Sequence, residues 1–110
     1  MAYKVLITPP AKRQLDLYVG YTARILKNPQ AARSILSDAK EAKKRLSEIA
    51  DTLQLCSNPI LAKYGYRKIR FVKHQFVMLY RIDNDKAIVD GMFHELQDYE
   101  STFINETNLN

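Results

Sequence analysis

Residues 65–94 read GYRKIRFVKHQFVMLYRIDNDKAIVDGMFH. Three runs rich in β-forming residues lie in this stretch, separated by short turns. Tyr66–Val72 alternates, with Ile69 and Phe71 set among Arg67, Lys68 and Arg70. Phe76–Asp83 (FVMLYRID) is apolar at nearly every position, the pattern of a central strand covered on both faces. Ala87–His94 is the third run, with Gly91 as a bulge position. Asn84-Asp85-Lys86 is turn chemistry, and the Lys73–Gln75 link is equally short. Links of that length join antiparallel neighbours, so the three runs predict a β-meander.

Upstream, Tyr3–Ile7 is a short strand-like run. Thr8-Pro9-Pro10-Ala11 reads as a helix start, with Thr8 as the cap and Pro9 in the first helical position, where its missing N–H costs nothing. Ala11, Leu15, Tyr18, Val19, Thr22, Ile25 and Leu26 share one face of that helix. Asn28-Pro29 ends it and opens the next. There, Ala32, Ile35, Ala39, Ala42, Leu46, Ile49 and Leu53 recur at alternating spacings of three and four, an apolar seam along one face. The short link makes the two helices an antiparallel hairpin. A partner-binding coiled coil is the competing reading, but the small alanines suit close packing against the first helix or a sheet. Residues 54–64 show no period and read as a loop.

The order is therefore β-α-α-β-β-β. It predicts a two-layer α+β domain over residues 1–104, an antiparallel sheet packed against an N-terminal helical hairpin. Residues 105–110 are expected to be a frayed polar tail. The second sheet face is expected to be open or shallowly covered, and so available to a ligand or partner.

Composition narrows the chemistry. The chain has 110 residues, 46% hydrophobic and 26% charged, which suits one globular domain. No apolar run approaches transmembrane length, and MAYKVLITPPAK holds no signal-peptide core, so a cytoplasmic protein without a membrane partner is expected. Three glycines leave no phosphate-cradling loop. The single cysteine, Cys56, has no second cysteine and no histidine at zinc spacing, so neither metal nor cofactor is expected. Residues 1–82 carry sixteen Lys/Arg against five Asp/Glu, whereas residues 83–110 carry one lysine against seven acids. A basic body of this kind attracts a polyanion or an acidic partner chain.

Two clusters can carry chemistry. Lys63, Arg67, Lys68, Arg70 and Lys73 are interleaved with Tyr64, Tyr66 and Phe71, and no acid interrupts them. On a strand, Tyr66, Lys68 and Arg70 share one face and Arg67, Ile69 and Phe71 the other. The second set holds two large apolar groups and is the core side, so Lys68 and Arg70 project away from it. Cations beside a ring suit a nucleic-acid backbone and its bases. The competing reading is an edge strand guarded by its charges. The second cluster is Phe93–Glu100, where His94 titrates near neutrality and can move protons, and Tyr99 can stack on a base. A strand-end histidine held locally by Glu95 or Asp98 is the alternative.

The layout resembles the RelE/ParE superfamily of type II toxin–antitoxin toxins. The likeness runs through YKVLITPPA (3–11), NPQAA (28–32), GYRKIRF (65–71), FVMLYRID (76–83) and HELQDYE (94–100), in that order. It covers roughly residues 3–103. In this superfamily RelE-like members cut mRNA on the ribosome and ParE-like members poison DNA gyrase without cleaving nucleic acid. Both are neutralised by an antitoxin whose C-terminal segment wraps the toxin.

The resemblance implies a ribosome-dependent, metal-independent mRNA endoribonuclease, in which a ribose 2′-OH attacks the adjacent phosphate. His94 would be general acid or base. Lys68 and Arg70 would stabilise the phosphate. Tyr99 would stack on or orient the base, and Lys63, Arg67, Lys73 and Arg81 would bind the RNA backbone. Partners would be a cognate acidic antitoxin, the ribosome and mRNA. The sequence has Val77 and Glu95-Leu96-Gln97 where such ribonucleases usually carry arginines. The alternative is a ParE-like gyrase inhibitor working through the helical hairpin and C-terminus. A second alternative is a non-toxic antitoxin-binding module.

Overall fold

Thr8 ties the first strand to the last. In the computed structural model, which describes residues 2–109, both its backbone N–H and its Oγ1 donate to the Val89 carbonyl at 3.0 Å. The hydroxyl is therefore spent on the sheet and does not cap the following helix, contrary to the sequence-based expectation. Strand β1 (Lys4–Ile7) precedes it and helix α1 (Pro9–Gly20) follows. The α1 helix then widens into a single π turn, Tyr21–Ile25. Lys27 takes a left-handed φ of 52°. Asn28 accepts from the Ala31 N–H at 3.0 Å and opens α2 (Pro29–Ile49) with Pro29 in its first turn.

The seam on α2 is buried as its spacing predicts: Ala32, Ile35, Ala39, Ala42 and Leu46 all face inward. The helix stops at Ile49, short of Leu53, which still packs on the same core. The expected loop contains a short helix, α3 (Pro59–Lys63), capped by Asn58, which accepts from the Ile60 and Leu61 N–H groups. Strands β2 (Arg67–Arg70), β3 (Phe76–Asp83) and β4 (Lys86–His94) form the meander. The sheet order is β1-β4-β3-β2. It is mixed rather than wholly antiparallel, because β1 joins β4 in parallel after the helical crossover. Between β3 and β4 the register steps from Leu79↔Gly91 to Tyr80↔Val89, leaving Asp90 as the extra residue of a bulge.

The α+β architecture stands, with one addition. Helix α4 (Tyr99–Thr107) lies on the sheet face expected to be open. Residues 105–107 continue that helix, and Leu109 packs beside it, where a frayed tail was expected. Met1 and Asn110 lie outside the described residues. The sheet is thus sandwiched. One core joins it to α1 and α2 through Ala42, Leu46, Met78, Tyr80 and Met92. The other joins it to α3 and α4 through Leu61, Val77, Leu79, Phe93 and Phe103. No described helix is long and apolar enough to cross a membrane.

Candidate functional site

The alternation along β2 sorts its side chains as the sequence predicts. Ile69 and Phe71 are buried under the helical hairpin. Arg67 lies on that side too, and its guanidinium donates to the carbonyls of Asp51, at 3.2 Å, and Leu53. Lys68 and Arg70 point to the opposite side. There they do not meet open solvent. Lys68 is half-buried beneath α4, and its Nζ donates to the Tyr99 hydroxyl at 3.2 Å. That bond favours the ammonium form and raises the Lys68 pKa, outweighing the opposing effect of burial. Tyr99 is itself buried, its ring stacked on Phe93 with centroids 5.5 Å apart.

The other cations named from sequence are also engaged. Arg70 pairs through Nε with Glu95 at 2.8 Å, and its carbonyl accepts from Arg45 at 2.7 Å. Arg81 pairs with Asp90 at 2.8 Å, and Tyr66 donates its hydroxyl to the same carboxylate oxygen at 2.8 Å. The Asp90 bond raises the Arg81 pKa further. Burial, reinforced by Asp90, pushes the Tyr66 phenol up to about 12. Lys63 is exposed at the end of α3, over the Tyr64 ring at 5.7 Å. Lys73 is exposed in the β2–β3 turn.

His94 lies elsewhere. Residues directly opposite each other in a ladder share a face, and Arg70 is opposite Val77, which is opposite Phe93. His94 is the next residue and so faces the helical hairpin. Its ring packs edge-on to Phe76 with centroids 5.2 Å apart. Its Nδ1 accepts from the Leu96 N–H at 3.1 Å, which leaves Nε2 to carry the proton of the neutral ring. It borders an apolar cleft of about 770 Å³ at the hairpin tip, with Tyr18, Tyr21, Arg24 and Ile35. The sheet therefore separates His94 from Lys68, Arg70 and Tyr99. A proton-transfer group and a phosphate clamp do not converge on one groove.

Residues 5–99 match the family described as the ParE toxin of type II toxin–antitoxin system, parDE. The chain belongs to this family. Its fold is similar to that of a solved structure titled "Chromosomal ParDE TA system from P. aeruginosa". The TM-score is 0.70 at 18% identity, over 84% of this chain and 96% of that one. No curated protein matches the chain in sequence. As a ParE-family toxin of a type II system, it has an antitoxin as partner.

Some of the residues that organise this ParE-family fold escape sequence reasoning. Asp38 is the buried charge among the described residues, and its carboxylate accepts from the N–H groups of Val72, Lys73 and His74 at 2.8–3.2 Å. It clamps the β2–β3 turn onto α2, and Ser34 adds a 2.9 Å contact to His74 Nε2. The signal was present: Asp38 stands beside Ala39, on the edge of the apolar seam. Glu95 and Asp90, which hold Arg70 and Arg81, gave no comparable signal, because their partners are set by sheet register.

Proposed function

We propose that this toxin arrests growth by inhibiting DNA gyrase and does not cleave mRNA. The observation that carries this reading is the separation of His94 from Lys68, Arg70 and Tyr99 by the thickness of the sheet. General acid–base catalysis needs its proton carrier within hydrogen-bond reach of the reacting oxygen, on the same side as the cations that hold the phosphate. Two further features support it. The position of the first missing arginine is Val77, fully buried in the second core. The second falls in Glu95-Leu96-Gln97, whose Glu95 neutralises Arg70. The antitoxin of this pair carries an acidic neutralising segment, complementary to the basic body of residues 1–82.

The test pairs two assays on purified protein, gyrase supercoiling and mRNA cleavage on programmed ribosomes, with His94→Ala and Arg70→Ala beside the parent. The expected result is inhibition of supercoiling by all three and no mRNA cleavage by any. Cleavage that collapses in both variants would overturn the proposal. It would mean that α4 leaves the sheet and that the two faces cooperate on the ribosome.

A further inference from the structure

Strand β1 is an edge, and its outward side is only partly used. Lys4 and Thr8 donate their N–H groups to Asp85 and Val89 of the β4 side, at 2.9 and 3.0 Å. Leu6 shares that direction by the alternation of a parallel ladder. Tyr3 points outward and donates to the Ser47 carbonyl at the end of α2, at 2.6 Å. Beyond it, Val5 and Ile7 turn their N–H and C=O groups to an edge that no described strand covers. An uncovered edge of this kind is a template for one more strand.

That edge runs beside a row of lysines. Two adjoining clefts, of about 260 and 330 Å³, lie between β1 and α2 and share Lys40 and Lys43. Val5 and Lys44 line one, and Ile7 and Leu36 the other. Lys40, Lys43 and Lys44 are exposed, and none takes part in an ion pair among the described residues. On the opposite face of β1, Leu6 is 41% exposed. The two sides of the vacant strand position therefore differ, being cationic toward α2 and apolar beside Leu6.

We infer that this edge is where the antitoxin docks an extended segment that alternates acidic and apolar residues. The segment adds as a fifth strand beside β1, with its carboxylates toward Lys40, Lys43 and Lys44 and its apolar side chains continuing Leu6. This rests on the reading that the neutralising segment is acidic, and it adds the place, the conformation and the period. A second copy of this chain does not fit, because pairing β1 with β1 would bring two lysine rows together. A nucleic-acid backbone would satisfy the lysines but leave the main-chain groups of Val5 and Ile7 unmatched.

The test uses the full chain and an acetylated decapeptide of alternating Glu and Val, with a block peptide of the same composition and oligothymidylate as comparison ligands. Amide exchange is read residue by residue. The alternating peptide should slow exchange at Val5 and Ile7. It should bind about tenfold or more tightly than the block peptide. The Lys40→Glu/Lys43→Glu variant, changed only at exposed positions, should bind it about tenfold or more weakly while keeping the parent melting curve. Equal binding of both peptides, protection confined to another element, no binding, or oligothymidylate protecting the same amides more strongly would each overturn the proposal. None of these readouts involves gyrase, so a failed supercoiling assay and a failed docking site are told apart.

Discussion

The two faces of the sheet are closed by different means. Toward α1 and α2 the contact is aliphatic and aromatic, with Ala39, Ala42 and Leu46 meeting Met78, Tyr80 and Met92. Its one buried charge, Asp38, is satisfied by three backbone N–H groups. Toward α4 a smaller apolar core is bordered by cations, each held by a partner: Lys68 by Tyr99, Arg70 by Glu95, Arg81 by Asp90. The residues that look catalytic in the sequence lie mostly on this second face, and there they secure the C-terminal segment to the sheet. A cation on a strand is a candidate for binding only when its charge has no internal partner. By that criterion the lysine row of α2 is the better binding surface, although it reads as an ordinary solvated helix face.

The largest test of this contrast is to truncate one large side chain on each face. Leu46 is fully buried under the hairpin, and Phe103 on α4 is 3% exposed. If the second face is a packed core, Phe103→Ala should cost about 3–5 kcal/mol and Leu46→Ala about 2–5 kcal/mol, read as shifts in urea midpoint. A cost for Phe103→Ala of only about 0.5 kcal/mol, the level of a surface change, would return α4 to the status of a loosely held tail.

How far each face was legible follows from its periodicity. The hairpin face was legible because α2 repeats its apolar residues over five turns and the strands alternate or run apolar beside it. The meander likewise followed from three runs and two short turns. The parallel attachment of β1 was not legible, since a four-residue strand carries no sign of its neighbour or direction. Nor was α4, whose buried Tyr99, Phe103 and Ile104 are too few, within nine residues of mostly polar sequence, to declare a helix. Lys68, Arg70, His94 and Tyr99 could each be picked out as chemically able. Which face each occupies depended on register, and the register came from Arg70↔Val77↔Phe93.

Between the two faces runs the β2–β3 turn, and Asp38 decides to which it belongs. Asp38→Ala removes three charge-assisted bonds and leaves the Val72, Lys73 and His74 N–H groups without their acceptor. The expected loss is about 2–3 kcal/mol, with Asp38→Asn milder because one carbonyl oxygen remains to accept. Native-state amide exchange should show the loss first at those three residues. Faster exchange spread evenly over the whole chain, with no early signal in the turn, would mean that the clamp contributes to global packing and not to this one connection.

The smallest effect at neutral pH gives the finest comparison, because each face holds one buried tyrosine with its hydroxyl bonded. Tyr80, on the hairpin face, donates to the Ala50 carbonyl at 2.6 Å; Tyr66, on the other, donates to Asp90 at 2.8 Å. Burial is the leading cause that pushes both phenols from 10 up to about 12. For Tyr66 the neighbouring carboxylate adds to it. A phenol whose folded pKa exceeds its unfolded one stabilises the chain fully below pH 10, and that contribution is lost as pH rises toward 12. Tyr66→Phe and Tyr80→Phe should each cost about 1 kcal/mol at pH 7, and each should flatten part of the stability loss between pH 10 and 12. Stability measured across that range separates the two sites. Salt should steepen the alkaline loss of the parent and of Tyr80→Phe, since screening weakens the hold of Arg81 on Asp90, and should leave Tyr66→Phe less changed. An identical salt response in both variants would show that the Tyr66–Asp90–Arg81 group behaves as plain packing, and the distinction between the two faces would then rest on α4 alone.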